Sequence, residues 1–135
     1  MRNNRSNAAS NRTNVLVLTA DADFEQLVRA TFTAAAQIDL SVLTGTLAAN
    51  EENITGEDAT VIVIDLDTRR DEDLAALTRL MARLNGWPPV VVVTQSFDAT
   101  VARHLLQMRV ADFMVKPVDR PLKGWTWVFN FSPGF

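Results

Sequence analysis

The sequence predicts a doubly wound α/β domain built on a five-stranded parallel sheet. Two observations predict it. First, three short apolar runs, VLVL at residues 15–18, VIVI at 61–64 and VVVV at 90–93, are continuous rather than alternating and rich in β-branched residues. Strands buried on both faces read this way, because a parallel sheet is covered by helices above and below. Second, helical stripes lie between the runs, giving β-α-β-α-β-α-β-α-β over residues 14–119. That alternation with right-handed crossovers packs as helix, sheet and helix layers. The expected five-strand order is 2-1-3-4-5, with a binding crevice where the first and third strands diverge.

Each element has its own signal. The first strand ends at Thr19. Phe24, Leu27, Val28 and Phe32 then recur at i, i+3, i+4 and i+8, with Asp21 or Asp23 available to cap the helix. A weaker strand fits residues 39–43, and a short helix fits between residues 46 and 53. The third strand ends at Asp65. Leu74, Leu77, Met81 and Leu84 form the next stripe. Asp71, Glu72 and Asp73 favour its N-terminus, and Gly86 followed by Pro88 stops it. The fourth strand ends at Thr94, and Val101, Leu105 and Met108 mark another helix. Residues 111–115 are the last strand candidate, ending at Lys116. The polar first thirteen residues, MRNNRSNAASNRT, read as a poorly ordered tail.

Composition excludes several classes of function. With 135 residues the chain has room for one domain. Its net charge of −3 offers no basic excess to attract nucleic acid. It has no cysteine, hence no disulfide framework, thiolate metal site or thiol nucleophile. A lone histidine, His104, excludes a multi-histidine metal site. No apolar run approaches the roughly 20 residues of a membrane span. The N-terminus lacks the apolar core of a secretory signal, so a cytoplasmic location is expected. Residues 19–23, the first strand-to-helix loop, contain no glycine, and neither nucleotide-binding glycine motif is present.

The strand ends carry the chemistry. In this architecture the carboxyl ends of all parallel strands open onto one edge of the sheet. Asp65, Thr94 and Lys116 then lie on successive strands about 4.8 Å apart, within reach of a lysine side chain. VIVIDLD, VVVVTQS and ADFMVKPVD together resemble the third, fourth and fifth strands of bacterial response-regulator receiver domains, the CheY-like family. The resemblance covers residues 14–119. It implies Asp65 as phosphoacceptor, Thr94 as the hydroxyl that reads the phosphoryl group, Lys116 as the phosphate-binding lysine and Phe113 as the aromatic switch. It also implies a cis bond between Lys116 and Pro117. Moving a phosphoryl group onto a carboxylate gathers negative charge that a metal and a lysine must neutralise.

One departure bears on that chemistry. Receivers carry two adjacent acids directly after the first strand to hold Mg²⁺, and here Thr19 and Ala20 occupy those positions. Asp65, Asp21 and the carbonyl of Asp67 remain as ligands, which implies a weak Mg²⁺ site. Asp21 also suits a helix cap, while Asp23, Asp67, Arg103, His104 and Arg109 suit a solvated surface. Two functions follow. The first is a non-enzymatic phosphorelay receiver, served by a sensor histidine kinase or phosphotransfer protein and read by a downstream effector protein. The second is a phosphorylation-independent pseudo-receiver, a protein–protein interaction module like those of pilus-assembly ATPases.

The end of the chain departs too. Receivers close with a fifth helix, but in residues 120–135 Trp125, Trp127, Phe129 and Phe131 alternate with Thr126, Val128 and Asn130, a strand period. The expected fold is therefore a flavodoxin-like three-layer sandwich with its last helix absent or replaced. So many aromatics seek cover, either on their own sheet beside the first helix or in a homodimer.

Overall fold

A computed structural model describes residues 13–33, 37–95 and 98–116. Five strands, β1 (Thr13–Thr19), β2 (Ile38–Thr44), β3 (Val61–Leu66), β4 (Val90–Thr94) and β5 (Asp112–Val115), alternate with four helices. These are α1 (Ala22–Phe32), α2 (Leu47–Asn50), α3 (Asp71–Leu84) and α4 (Ala99–Gln107), with a 3-10 turn over Glu51–Asn53 after α2. All strand pairs are parallel and the order is β2-β1-β3-β4-β5, as the alternation predicts. Thr13, assigned to the tail from sequence, opens β1 opposite Ile38. Among the described residues no helix is long and apolar enough to cross a membrane. The tails at 1–12 and 117–135, and with them the Lys116–Pro117 bond, lie outside the described residues.

The continuous apolar runs are explained by two cores. Side chains alternate across a strand, so one run feeds both faces. Val15, Val17, Val61, Val63, Val91 and Val93 pack toward Phe24, Val28 and Phe32 of α1. Leu18, Ile62, Ile64, Leu66, Val90 and Val92 pack toward the opposite layer, with Leu47, Ala76, Leu77, Leu80 and Leu105 from its helices.

The helix ends follow from local chemistry. Asp21 caps α1, its Oδ1 accepting from the backbone N–H of Asp23 at 3.0 Å and of Phe24 at 3.3 Å. α3 ends two residues before the glycine stop, with Asn85 in the left-handed conformation at φ 54° followed by Gly86 at φ 96°. α2 is a single turn, too short to stand alone. Buried Leu47 anchors it, Thr46 caps it, and buried Asp73 of α3 accepts from the N–H of Ala48 at 3.0 Å. Asp73 reads in sequence as one acid of three at a helix start, yet it ties two elements together.

Candidate functional site

The carboxyl edge of the sheet gathers the site. Thr19 ends β1, Asp65 is the last residue but one of β3 and Lys116 follows β5, and the backbone N–H of Lys116 donates to the carbonyl of Thr94 at 2.8 Å. From there the Lys116 ammonium reaches Asp65 Oδ2 at 2.7 Å and Asp21 Oδ2 at 2.9 Å. Its nitrogen also lies 5.1 Å from the ring centre of Phe24, a cation–π contact. The Thr19 hydroxyl donates to the same Asp65 oxygen at 2.6 Å and accepts from the N–H of Asp21 at 3.0 Å. Asp21 thus uses one oxygen on the start of α1 and the other on the lysine. The Lys116 and Asp65 side chains are only 15% and 11% exposed, Asp21 40%. The group opens into a crevice of about 390 Å³, also bordered by Asp67, Arg70 and Asp73.

The charges reinforce one another. The Lys116 hydrogen bond, helped by the two α1 N–H groups, holds the Asp21 carboxyl below its ordinary value against the cost of burial. Burial pulls the Lys116 ammonium down, but the hydrogen bonds it donates to Asp65 and Asp21 outweigh it and leave the value raised. The signs set a pH window. Asp21 stabilises the fold above its unfolded value near ~3.9, and that contribution is lost as pH falls. Lys116 stabilises it below its unfolded value near ~10.4, and that contribution is lost as pH rises through the raised folded value. The thermal midpoint of Lys116→Met is therefore expected to lie below wild type at neutral pH and to converge with it below about pH 4. A gap that widens in acid would contradict the ion-pair assignment.

Asp65 and Lys116 converge as the strand ends predict. Thr94 is placed differently. Register sets Asp65 opposite Val93 and Leu66 opposite Thr94, and alternation turns Thr94 to the face of Val90 and Val92, away from that of Asp65. Its side chain is 1% exposed, its hydroxyl has no hydrogen-bond partner among the described residues, and Gln95 borders the crevice instead. A buried hydroxyl without a partner costs stability. Thr94→Val is accordingly expected to stabilise by about 1 kcal/mol, raising the thermal midpoint by roughly 3 °C. A lowered midpoint would reveal a partner for that hydroxyl. Phe113 is half-buried on β5 and packs against the core on the face opposite α1. The Asp67 carboxylate turns to Arg69, at 3.1 Å from Nε.

Mg²⁺ requires several hard oxygen ligands in near-octahedral array. Where two acids would stand, Thr19 offers a hydroxyl already committed to Asp65, and Ala20 offers no side-chain oxygen. No three acidic or histidine side chains among the described residues are grouped so as to hold a metal ion. The two carboxylates that do converge meet on an ammonium. This donor set does not fit a tight divalent site. The sequence reading missed Phe24 as the lysine's aromatic partner and Thr19 as a donor to Asp65. The helical stripe marks Phe24 only as core, and a threonine replacing an acid reads first as a loss.

No protein-family model and no curated protein matches the sequence. Solved structures match closely in shape. A response regulator CheY-like protein from Mesorhizobium loti superposes with a TM-score of 0.70, covering 89% of this chain and 98% of that one at 21% identity. A response regulator receiver protein from Pseudomonas putida does so with a TM-score of 0.69, covering 88% and 96% at 23% identity. This chain has the receiver fold. The same fold is seen in a pilus assembly protein, CpaE, from Burkholderia thailandensis, with a TM-score of 0.72, covering 88% of this chain and 97% of that one at 20% identity. The crevice at the carboxyl edge is thus the switch-point crevice of a receiver fold, and Asp65 lies one residue before the end of its central strand, which runs on to Leu66 rather than stopping at Asp65 as the sequence predicts.

Proposed function

We propose that this receiver fold serves in signalling as a protein–protein interaction module whose working state does not depend on phosphorylation of Asp65. One observation carries the reading. Asp65 Oδ2 is shared by the Thr19 hydroxyl and the Lys116 ammonium, and Lys116 is held in turn by Asp21. Phosphoryl transfer to a carboxylate depends on cations placed to neutralise the phosphoryl oxygens. Here the nearby lysine is already neutralised by two carboxylates, and the acid pair that would add a metal is replaced. The likeness to a pilus assembly protein supports a docking role beside the likeness to response regulators. In this reading the chain is not an enzyme, and its partner is an effector protein.

A second reading, phosphoacceptance at Asp65 from a sensor histidine kinase or phosphotransfer protein, is favoured by a specific observation. Asp65 and Lys116 border an open crevice at the carboxyl edge of the sheet, so a phosphodonor can approach the Asp65 carboxylate. In that case Thr94 and Phe113 carry the signal. Incubation with a small-molecule phosphodonor and Mg²⁺, followed by intact mass, separates the two. The expected result is an unchanged mass. Rapid, complete addition of one phosphoryl group, abolished in Asp65→Asn, would establish the second reading.

A further inference from the structure

We infer that Lys116 is the resident cation of the crevice: its ammonium holds the place between Asp21 and Asp65 that a divalent ion can enter only when the lysine is removed. The inference rests on the proposed reading of the crevice as one that works without phosphorylation of Asp65. The geometry is that of a clasp, with carboxylate oxygens 2.7 Å and 2.9 Å from one nitrogen and the Phe24 ring beside it. An ammonium has three donors, and two of them are spent on the two carboxylates. Asp21 cannot turn toward a metal with both oxygens, because its Oδ1 caps α1. Asp65 Oδ2 already accepts from Thr19 and Lys116. Mg²⁺ sheds its water reluctantly and demands strict geometry. Here it would also meet a fixed positive charge between the two carboxylates, Asp21 and Asp65, that meet at Lys116. Asp21, Asp65 and Lys116 sum to one negative charge. Without the lysine the pair carries two, which matches a divalent ion.

The test is a metal titration of the full chain by calorimetry with MgCl₂, repeated with MnCl₂ by paramagnetic resonance. Wild type is expected to show no saturable binding up to about 10 mM, and Lys116→Met to bind at least about tenfold more tightly. Adding Asp21→Asn to Lys116→Met should reverse the gain. If Lys116→Met does not fold, Lys116→Gln keeps the stem's packing and carries the same expectation. Saturation of wild type below about 1 mM overturns the inference without reference to any variant. So does a folded lysine variant that binds metal no better than wild type. The inference and the proposed function fail separately. Wild-type metal binding with no phosphoryl addition removes this inference alone. Phosphoryl addition at Asp65 with no saturable metal binding removes the proposed function alone.

Discussion

Lys116→Met is expected to lower stability by about 2–3 kcal/mol near neutral pH. Breaking a buried pair by removing one partner costs about 3–5 kcal/mol, because the charge left behind is uncompensated. The lower figure reflects Asp21, whose side chain is 40% exposed and partly screened by solvent. Asp65 is the greater burden, with 11% exposure and a second carboxylate drawn to the same point. Methionine is an unbranched side chain close in length to the lysine stem, so the loss reports charge more than packing. For a domain of this size the thermal midpoint should fall by roughly 6–9 °C. Adding Asp65→Asn should recover part of the loss, since the two sites are in contact and their effects are not additive. A midpoint within about 1 °C of wild type would mean that the clasp contributes nothing.

Phe32→Ala should have a larger effect, about 3–5 kcal/mol. Phe32 is the last residue of α1, is 0% exposed, and belongs to the core that joins α1 to the sheet. Removing the ring takes away transfer energy and leaves a cavity that close-packed strands fill poorly. Against a total stability of about 5–15 kcal/mol, this brings the fold close to its threshold at 37 °C. Urea unfolding is the measurement, with a lower midpoint expected at an unchanged slope. Leu106→Ala serves as the control. Leu106 is 64% exposed, and the substitution should stay within about ±0.5 kcal/mol. Equal losses in the two variants would show that α1 is not seated as described.

Much of this was legible in the residues. The runs at 15–18, 61–64 and 90–93 announced strands covered on both faces, and both cores are drawn from them. Asp21 was legible as a cap because a short acidic side chain just before an apolar stripe meets unpaired N–H groups. Asp65 and Lys116 were legible as neighbours because parallel strands share one carboxyl edge. Asp73 and Phe24 were hidden for the opposite reason. Their local patterns are ordinary, an acid near a helix start and an apolar residue in a stripe, and their further roles lie in contacts with Ala48 and Lys116, distant in the chain.

The sequence by itself determined the layered α/β architecture, which follows from periodicity and the handedness of parallel crossovers, and with the strand order common to five-stranded sheets of this class it placed Asp65 and Lys116 at one edge. Only the tertiary structure decided what that meeting is. Whether Lys116 faces an open metal-and-phosphate site or is held between two carboxylates depends on rotamers and on ångström distances across β1, β3 and β5, which no spacing encodes. It also decided which way Thr94 points. A one-residue step in register carries a strand residue from one face to the other, and that step set the hydroxyl of Thr94 on the face away from Asp65.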